Sequence, residues 1–280
     1  MVKIITDSTS DLTPEMAREL GVTMIPLTVT FGTESYRERI DITPAEFFDK
    51  LVKSKVFPTT SALSIGAYAE AYDKAAEESD EVLVLTLSQK LSATYESALS
   101  ALKLRKWKDC RIEVLDTNTA IGGLGLLVML AAEEARRGAN LDQLVELVRK
   151  YIPKVHIRIC FDTLEYLHRG GRIGSAQAFL GSILKINPIL GVINGVIEGV
   201  ARTRNWSKAL DWLYDYTKGF QNNIKMLAVE HAAISDEAKS FADRLGQVFP
   251  REKIHQFVFG PVVGAHTGPH AIGVTLLEQA

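Results

Sequence analysis

Hydroxyl side chains gather at three places where the sequence predicts the end of a strand or the start of a helix. They lie at residues 6–11 (Thr-Asp-Ser-Thr-Ser-Asp), at residues 59–61 (Thr-Thr-Ser), and at Ser88 and Ser92. Hydroxyl groups and the free N–H groups of a helix N-terminus together bind anions, because these donors and the helix dipole act on the same point. Caps and turns use the same residue types, so each cluster alone has two explanations. Three clusters predicted at one sheet edge favour an anion site.

A histidine stands at the centre of a segment rich in glycine and proline. Residues 260–269 read Gly-Pro-Val-Val-Gly-Ala-His-Thr-Gly-Pro and are predicted to form a rigid loop between two strands. Because shaping so much backbone around one side chain is costly, His266 is predicted to belong to a binding site. The histidines form no HExxH or other metal-ligand spacing, so no metal site is expected.

Arginines flank two further segments. Residues 162–173 combine an acid, a short predicted helix and a glycine turn with Arg169 and Arg172, and Arg202 follows a predicted hairpin. A helix that simply ends at glycine explains the first segment. The alternative is that these arginines bind a phosphate, an acidic partner or Asp162 itself.

Motifs for common cofactors are missing from the sequence. There is no GxxxxGK[ST] phosphate loop and no GxSxG nucleophile elbow, and residues 122–125 (Gly-Gly-Leu-Gly) do not open a dinucleotide fingerprint. No cofactor is therefore expected, and the chain is not predicted to bind ATP or NAD.

Asp7 supports an alternative function. The order Asp7-Ser8-Thr9 after a strand resembles the aspartyl nucleophile of haloacid-dehalogenase-like phosphatases, which would make the chain a small-molecule phosphatase or phosphotransferase. That family usually has a second acid two residues later, where this chain has Thr9.

The first half of the chain is predicted to form a parallel sheet with crossover helices. Short β-branched runs at residues 2–6, 24–30, 82–86 and 111–116 alternate with helical patterns. Helix starts are marked by Thr13-Pro14, by Thr43-Pro44 with Glu46 as a capping box, and by Asn140 after the helix stop at Gly138.

After Pro153 the pattern changes to α+β. Strands are predicted at residues 156–161, 189–193, 196–201, 225–231, 253–259 and 271–276, and helices at 207–220 and 236–248. Asn194-Gly195 between two apolar runs predicts a hairpin. We expect two closely packed domains, residues 1–153 and 154–280, with the site between them at the carboxyl ends of strands.

Composition is that of an ordinary globular protein. The 280 residues are 46% hydrophobic and 24% charged, and 32 Lys+Arg against 34 Asp+Glu give a net charge of −2. This excludes disorder and lacks the basic excess typical of nucleic-acid binding. Residues 117–132 are too short for a membrane span, and residues 173–197 contain Lys185 and Pro188 and are predicted to be buried. With no signal peptide evident and only two cysteines, a cytoplasmic protein is expected.

Several blocks of sequence, in the same order, resemble the DegV family of bacterial fatty-acid-binding proteins over nearly the whole chain. They are ITDSTSDL (5–12), PTTS (58–61), LSQKLSATY (87–95), DTLEYL and GGRI (162–173), NPIL (187–190), RT (202–203), and GP with HTGP (260–269). Ala93 replaces a glycine and Ala62 a glutamine that are common in the family.

The resemblance implies a two-domain α/β protein that holds one long-chain fatty acid in a tunnel between the domains. Some members deliver the acid to a separate fatty acid kinase, which makes acyl phosphate for phospholipid synthesis. By motif position, Thr60 and Ser92 would donate hydrogen bonds to the carboxylate, and His266 would complete the polar end of the pocket. Arg169 and Arg202 would lie near that end or on the kinase-facing rim. Residues 183–197 would supply part of the apolar wall. A regulatory protein with a vestigial pocket is a further alternative.

Overall fold

The first half of the chain forms a parallel sheet and a small antiparallel sheet. The computed structural model describes residues 1–180 and 186–280. Strands β1, β2, β6 and β7 form a parallel sheet in the order β2-β1-β6-β7, and β4-β3-β5 form a separate antiparallel one. The bounds of the seven strands are β1 Lys3–Asp7, β2 Val22–Ile25, β3 Thr28–Phe31, β4 Glu34–Arg37, β5 Thr59–Ser61, β6 Glu81–Thr86 and β7 Arg111–Asp116.

The single strand predicted at residues 24–30 is wrong, because two strands of different sheets occupy that range. β2 ends at Ile25 and β3 begins at Thr28. Pro26 lies between them and lacks the N–H group that a continuous ladder would need. The break allows the chain to leave the parallel sheet and start the small one.

Six helices accompany these strands, and the three starts predicted from capping motifs are confirmed. They are α1 Pro14–Leu20, α2 Pro44–Lys53, α3 Ile65–Ala76, α4 Thr94–Ala101, α5 Ile121–Arg136 and α6 Leu141–Tyr151. Thr13 accepts a hydrogen bond from the Met16 N–H group, and Thr43 and Glu46 form the expected capping box. Asn140 caps α6 in the same way. These signals are local, which is why the sequence alone reveals them.

The second half contains a six-stranded sheet with the order β10-β9-β8-β13-β11-β12. Only its β11–β12 pair is parallel. Its strands are β8 Val155–Phe161, β9 Asn187–Ile193, β10 Val196–Thr203, β11 Ile224–Ala232, β12 Ile254–Val258 and β13 Ala271–Glu278, and its helices are α7 Glu165–Arg169, α8 Trp206–Lys218, α9 Ser235–Leu245 and α10 Pro261–Thr267.

The predicted hairpin between β9 and β10 is confirmed. Asn194 and Gly195 form its turn, with φ angles of +49° and +81°. Asparagine and glycine tolerate this left-handed conformation, which a two-residue hairpin of this kind requires.

Helix α5 packs against strands of both halves. It is buried along most of its length and contacts β1 and β6 of the parallel sheet as well as β8, β11 and β13. A Cβ atom at Gly125 would lie 2.5 Å from the Ser10 carbonyl oxygen, so glycine permits this close packing. Together, the sheets and helices confirm the predicted α/β class, as a parallel sheet flanked by helices and a second α+β region.

The predicted domain boundary falls in a 3-10 turn between α6 and β8, at Ile152–Lys154. The division into two domains stays a prediction. Both cysteines, Cys110 and Cys160, are buried and free. Among the described residues, no helix has the length and apolar character needed to cross a membrane.

Candidate functional site

A cavity of about 230 Å³ lies between the two halves of the chain. Its wall is mostly apolar and comes from both halves: Leu27, Leu87, Leu91, Ala120, Ile121, Ile159, Phe161, Leu167, Leu190, Val192, Ile197, Val262 and Val263. Of the apolar wall predicted at residues 183–197, Leu190, Val192 and Ile197 line the cavity, whereas residues 183–185 lie outside the described residues. An apolar hollow of this kind suits a hydrocarbon chain.

Each of the three hydroxyl clusters contributes to this wall, through Thr9, Thr60 and Ser92. The cluster at residues 59–61 does so differently from the prediction. It forms β5, which pairs with β3 in the small sheet, and does not belong to the edge of the parallel sheet. The three clusters still meet because the small sheet packs against helix α10, beside the cavity.

Thr60 and His266 form a hydrogen-bonded pair at the cavity wall. The Thr60 Oγ1 and His266 Nε2 atoms lie 2.9 Å apart, although 206 residues separate them in the sequence. Ser92 lines the same cavity, with its Oγ atom 2.8 Å from Thr94 Oγ1 at the start of α4. The structure thus brings together Thr60, Ser92 and His266.

The segment around His266 is a helix, so the predicted loop is wrong. Gly260 is the N-cap of α10, Pro261 occupies its first position, and Gly268 with φ +78° ends it. Proline suits the first turn because its missing N–H group has no partner within the helix there. A Cβ atom at Gly264 would lie 2.7 Å from the Phe47 ring, so this glycine allows α10 to pack against α2.

The imidazole of His266 is neutral at pH 7. Its burial, and next the positive charge of Arg172, lower its pKa to about 4. The Nδ1 atom has no hydrogen-bond partner among the described residues. A Cβ atom at Gly170 would lie 2.2 Å from Nδ1, so only glycine leaves room for the ring there.

Arg172 is a cavity residue that the sequence marked only as one of several candidate anion-binding arginines and that the family resemblance did not select. Its Nε atom donates to the Leu91 carbonyl oxygen at 3.1 Å and its Nη1 atom to the Gly170 carbonyl oxygen at 2.8 Å. The sequence placed Arg172 beside Gly170-Gly171 but offered no reason to prefer it to Arg169. A second hollow of about 380 Å³ adjoins the first, since Arg172, Ser92 and Ile197 line both.

Arg169 and Arg202 lie outside the lining of the main cavity. The Arg169 guanidinium lies 4.1 Å from the centre of the Phe57 ring and 3.1 Å from Glu165 Oε1. Arg202 donates to the Ala178 carbonyl oxygen at 3.0 Å. Among the described residues, neither arginine has a hydrogen bond to Thr60 or His266.

Asp7 is fully buried and is held by its own turn. Its carboxylate accepts hydrogen bonds from the N–H groups of Thr9 at 3.1 Å and Leu87 at 2.9 Å. Burial raises its pKa. Asp7 is not among the cavity residues, and the described residues contain no cluster of three or more histidine, cysteine, aspartate or glutamate side chains that could hold a metal. A buried, capped carboxylate is poorly placed to attack a substrate.

Comparisons with known proteins agree over the whole chain. A family model described as "Uncharacterised protein, DegV family" matches residues 1–279. A DegV domain-containing protein of Deinococcus radiodurans is 37% identical, over 98% of this chain and 98% of the relative.

Two solved structures are similar throughout. One is a fatty-acid-binding DegV family protein of Thermus thermophilus, with 34% identity, a TM-score of 0.90, and coverage of 99% of this chain and 100% of that one. The other is a stearic acid-binding protein of Eubacterium ventriosum, with 26% identity, a TM-score of 0.92, and coverage of 100% and 99%.

Proposed function

The chain belongs to the DegV family, and on that premise we propose that it binds a long-chain fatty acid and presents the carboxylate to a separate ATP-dependent fatty acid kinase. The observation that carries this proposal is the cavity between the two halves, whose mostly apolar wall also includes the polar side chains of Thr60, Ser92 and His266. Similar proteins of known structure bind fatty acids. The chain would act as a carrier in the cytoplasm and not as an enzyme.

The acyl chain would supply most of the affinity. A sixteen-carbon acid has about fourteen methylene groups, and at ~0.8 kcal/mol for each buried group the transfer contributes on the order of 11 kcal/mol. The loss of translational, rotational and chain freedom offsets several kcal/mol of this. The head group would then add a smaller share of the affinity and set which end of the acid enters first.

A buried carboxylate needs hydrogen-bond donors, because an ionised group without partners costs several kcal/mol. The hydroxyl groups of Thr60 and Ser92 meet this need. Since His266 is neutral at pH 7, its Nε2–H group can donate to Thr60 Oγ1, which leaves the Thr60 hydroxyl proton free for the carboxylate. Arg172 adds a positive charge near the same point.

Presentation to a kinase would use the carboxylate as the nucleophile. A carboxylate oxygen attacks the γ-phosphoryl group of ATP, the new P–O bond forms as the bond to ADP breaks, and acyl phosphate results. The sequence has no ATP motif, so the partner would hold the nucleotide. This chain would hold the acid still, and exposed Arg169 and Arg202 would face the kinase.

Mass spectrometry of the denatured, solvent-extracted protein tests the lipid ligand. We expect stoichiometric long-chain fatty acid, or binding of added acid to delipidated protein. Failure of both would overturn the proposal.

The kinase step has its own test. Hydroxylamine converts acyl phosphate to a stable hydroxamate, so we expect ATP-dependent hydroxamate from the loaded protein only when an extract of the source bacterium is added. Hydroxamate formed by the purified chain and ATP alone would show that no partner is needed.

A further inference from the structure

Two buried carboxylates of the first half hold the first turn of α10. The Gly260 N–H group donates to Asp11 Oδ1 at 2.9 Å, and the Val262 N–H group donates to Glu38 Oε1 at 3.0 Å. Both acids are fully buried. The first N–H groups of a helix have no partner inside it, and negative charge there is favourable. The helix that carries His266 is therefore docked by residues more than 220 positions away.

The carboxylates are themselves held in place. Glu38 Oε2 accepts a hydrogen bond from the Ser8 hydroxyl group. Arg39 Nη2 lies 3.3 Å from Asp11 Oδ1 and donates to the Val258 carbonyl oxygen at 2.7 Å, which ties the end of β12 to the same cluster. Arg39 has a φ of +61°, a conformation that arginine rarely adopts.

Gly260 provides the room for this contact. A Cβ atom there would lie 2.0 Å from Glu38 Oε1, so any side chain at position 260 would push the carboxylate away. The glycine has a φ of −71°, which every residue tolerates. Space for Glu38, and not backbone freedom, is thus the reason for glycine at this position.

The first turn of α10 lies close to the head-group site, by which we mean Thr60, Ser92 and His266. His266 follows Val262 by one turn of the same helix, about 6 Å along its axis at 1.5 Å per residue. Because a helix moves as a rigid unit, a shift of about 1 Å at its first turn would lengthen the 2.9 Å contact between His266 and Thr60 beyond hydrogen-bond distance.

We propose that Glu38 and Asp11 are positioning residues of the head-group site, which act through α10 to place His266 against Thr60. This inference rests on the proposed function, because it assigns a part in carboxylate recognition to residues that never touch the ligand. Glu38 accepts from the Val262 N–H group, and Asp11 accepts from the N–H group of Gly260, the N-cap residue of α10.

The test compares two probes that share a tail and differ in the head group. The ratio of the Kd for hexadecan-1-ol to the Kd for hexadecanoic acid isolates the contribution of the carboxylate. We expect Glu38→Ala to lower this ratio by roughly tenfold, which corresponds to the loss of one hydrogen bond to the carboxylate of the acid. Glu38→Gln can still accept from Val262 and should restore most of the ratio.

Glu230→Ala is the matched control. Glu230 is also a fully buried glutamate that accepts from the first turn of a helix, through the Gly122 N–H group at 2.9 Å, but that helix is α5. We expect Glu230→Ala to lower stability while leaving the alcohol-to-acid ratio unchanged.

The outcomes separate the possibilities. Equal changes in the ratio for Glu38→Ala and Glu230→Ala, or no change in either, would assign Glu38 a purely structural role and overturn the inference. If Glu38→Ala does not fold, Glu38→Asp keeps a carboxyl group but is too short to reach the Val262 N–H group, and it must lower the ratio in its place. A wild-type ratio of one would contradict carboxylate recognition itself, and no binding of either probe would overturn the proposed function.

Discussion

The two ends of helix α10 differ in what surrounds their polar groups. At the first turn, N–H groups meet the carboxylates of Asp11 and Glu38, which lie in the buried interface between the halves. At the last turn, His266 makes one hydrogen bond, to Thr60, and lines an apolar cavity. One short helix therefore combines a docked end, where burial and hydrogen-bond partners confer stability, with a binding end that keeps hydrogen-bonding capacity for a ligand.

The ends also differ in how burial acts on their titratable groups. Burial raises the pKa of Glu38 to about 7, although the charge of Arg39 opposes this. Burial lowers the pKa of His266 to about 4. Both shifts favour the neutral form, because a buried charge is costly. The two groups therefore affect stability in opposite directions over the same range of pH.

We expect the largest loss of stability from a substitution that fills the space at the docked end of α10. Gly260→Ala should lower the free energy of unfolding by about 3 kcal/mol, because it displaces a buried carboxylate and leaves N–H groups unpaired. Gly170→Ala is the matched control at the binding end, where a Cβ atom would meet His266 Nδ1 at 2.2 Å. Denaturant titration of both variants should show the larger loss for Gly260→Ala. A larger loss for Gly170→Ala would contradict the comparison.

Glu38 should make the protein less stable as the pH rises. Its pKa is raised from 4.5 to about 7 in the folded protein, so its stabilising contribution is complete below about pH 4.5 and is lost by about pH 7. Relative to Glu38→Gln, the wild type should lose on the order of 3 kcal/mol across this interval. Unfolding curves at pH 4.5 and 7.5 measure it. A constant difference between the two proteins would show that Glu38 does not titrate there.

His266 should have the opposite effect. Its pKa is lowered from 6.5 to about 4, so its contribution is complete above about pH 6.5 and is lost as the pH falls towards 4. Relative to His266→Asn, the wild type should lose on the order of 2–3 kcal/mol between pH 7 and pH 4. The same denaturation series measures this, and NMR titration of the imidazole supplies an independent value. An imidazole that titrates near 6.5 in the ligand-free protein would contradict the prediction.

The smallest effect on stability is expected at the hydroxyl groups of the binding end. Thr60→Ala combined with Ser92→Ala should change the free energy of unfolding by less than about 1 kcal/mol, because both side chains are only partly buried. The same double variant should weaken hexadecanoic acid binding by roughly tenfold or more, since carboxylate donors are lost. Calorimetric binding and denaturation together check this. Unchanged affinity would remove these two residues from the proposed site.

Local signals in the sequence predicted much of the fold. The Thr43–Glu46 capping box and the Asn194-Gly195 turn depend on contacts within a few residues, so composition and spacing were sufficient to find them. The prediction for residues 260–269 was wrong for the opposite reason. The glycines of this segment are typical of a loop, but Gly260 is the N-cap of a helix and Gly264 lies within it, and Glu38 and Phe47 leave no room for a side chain at these positions.

The residues of the candidate site were likewise predicted only in part. The family resemblance selected Thr60, Ser92 and His266, which the structure brings to one cavity. It selected Arg169 and Arg202 as well, whereas the arginine at the cavity is Arg172. Arg169 at the end of α7 and Arg172 in the turn after it look alike in sequence, because the direction of each side chain depends on how α7 and that turn pack.

Sequence information alone was sufficient to predict the α/β class, the helix caps, the hairpin and the residue types suited to an anionic head group. These follow from backbone conformation and short-range hydrogen bonds, whose partners are close in the chain. The three-dimensional structure was needed to show that residues 59–61 form a strand of a small sheet, that His266 lies on a helix, and that Asp11 and Glu38 dock that helix. The reason is that these features depend on burial and on contacts between residues far apart in the sequence.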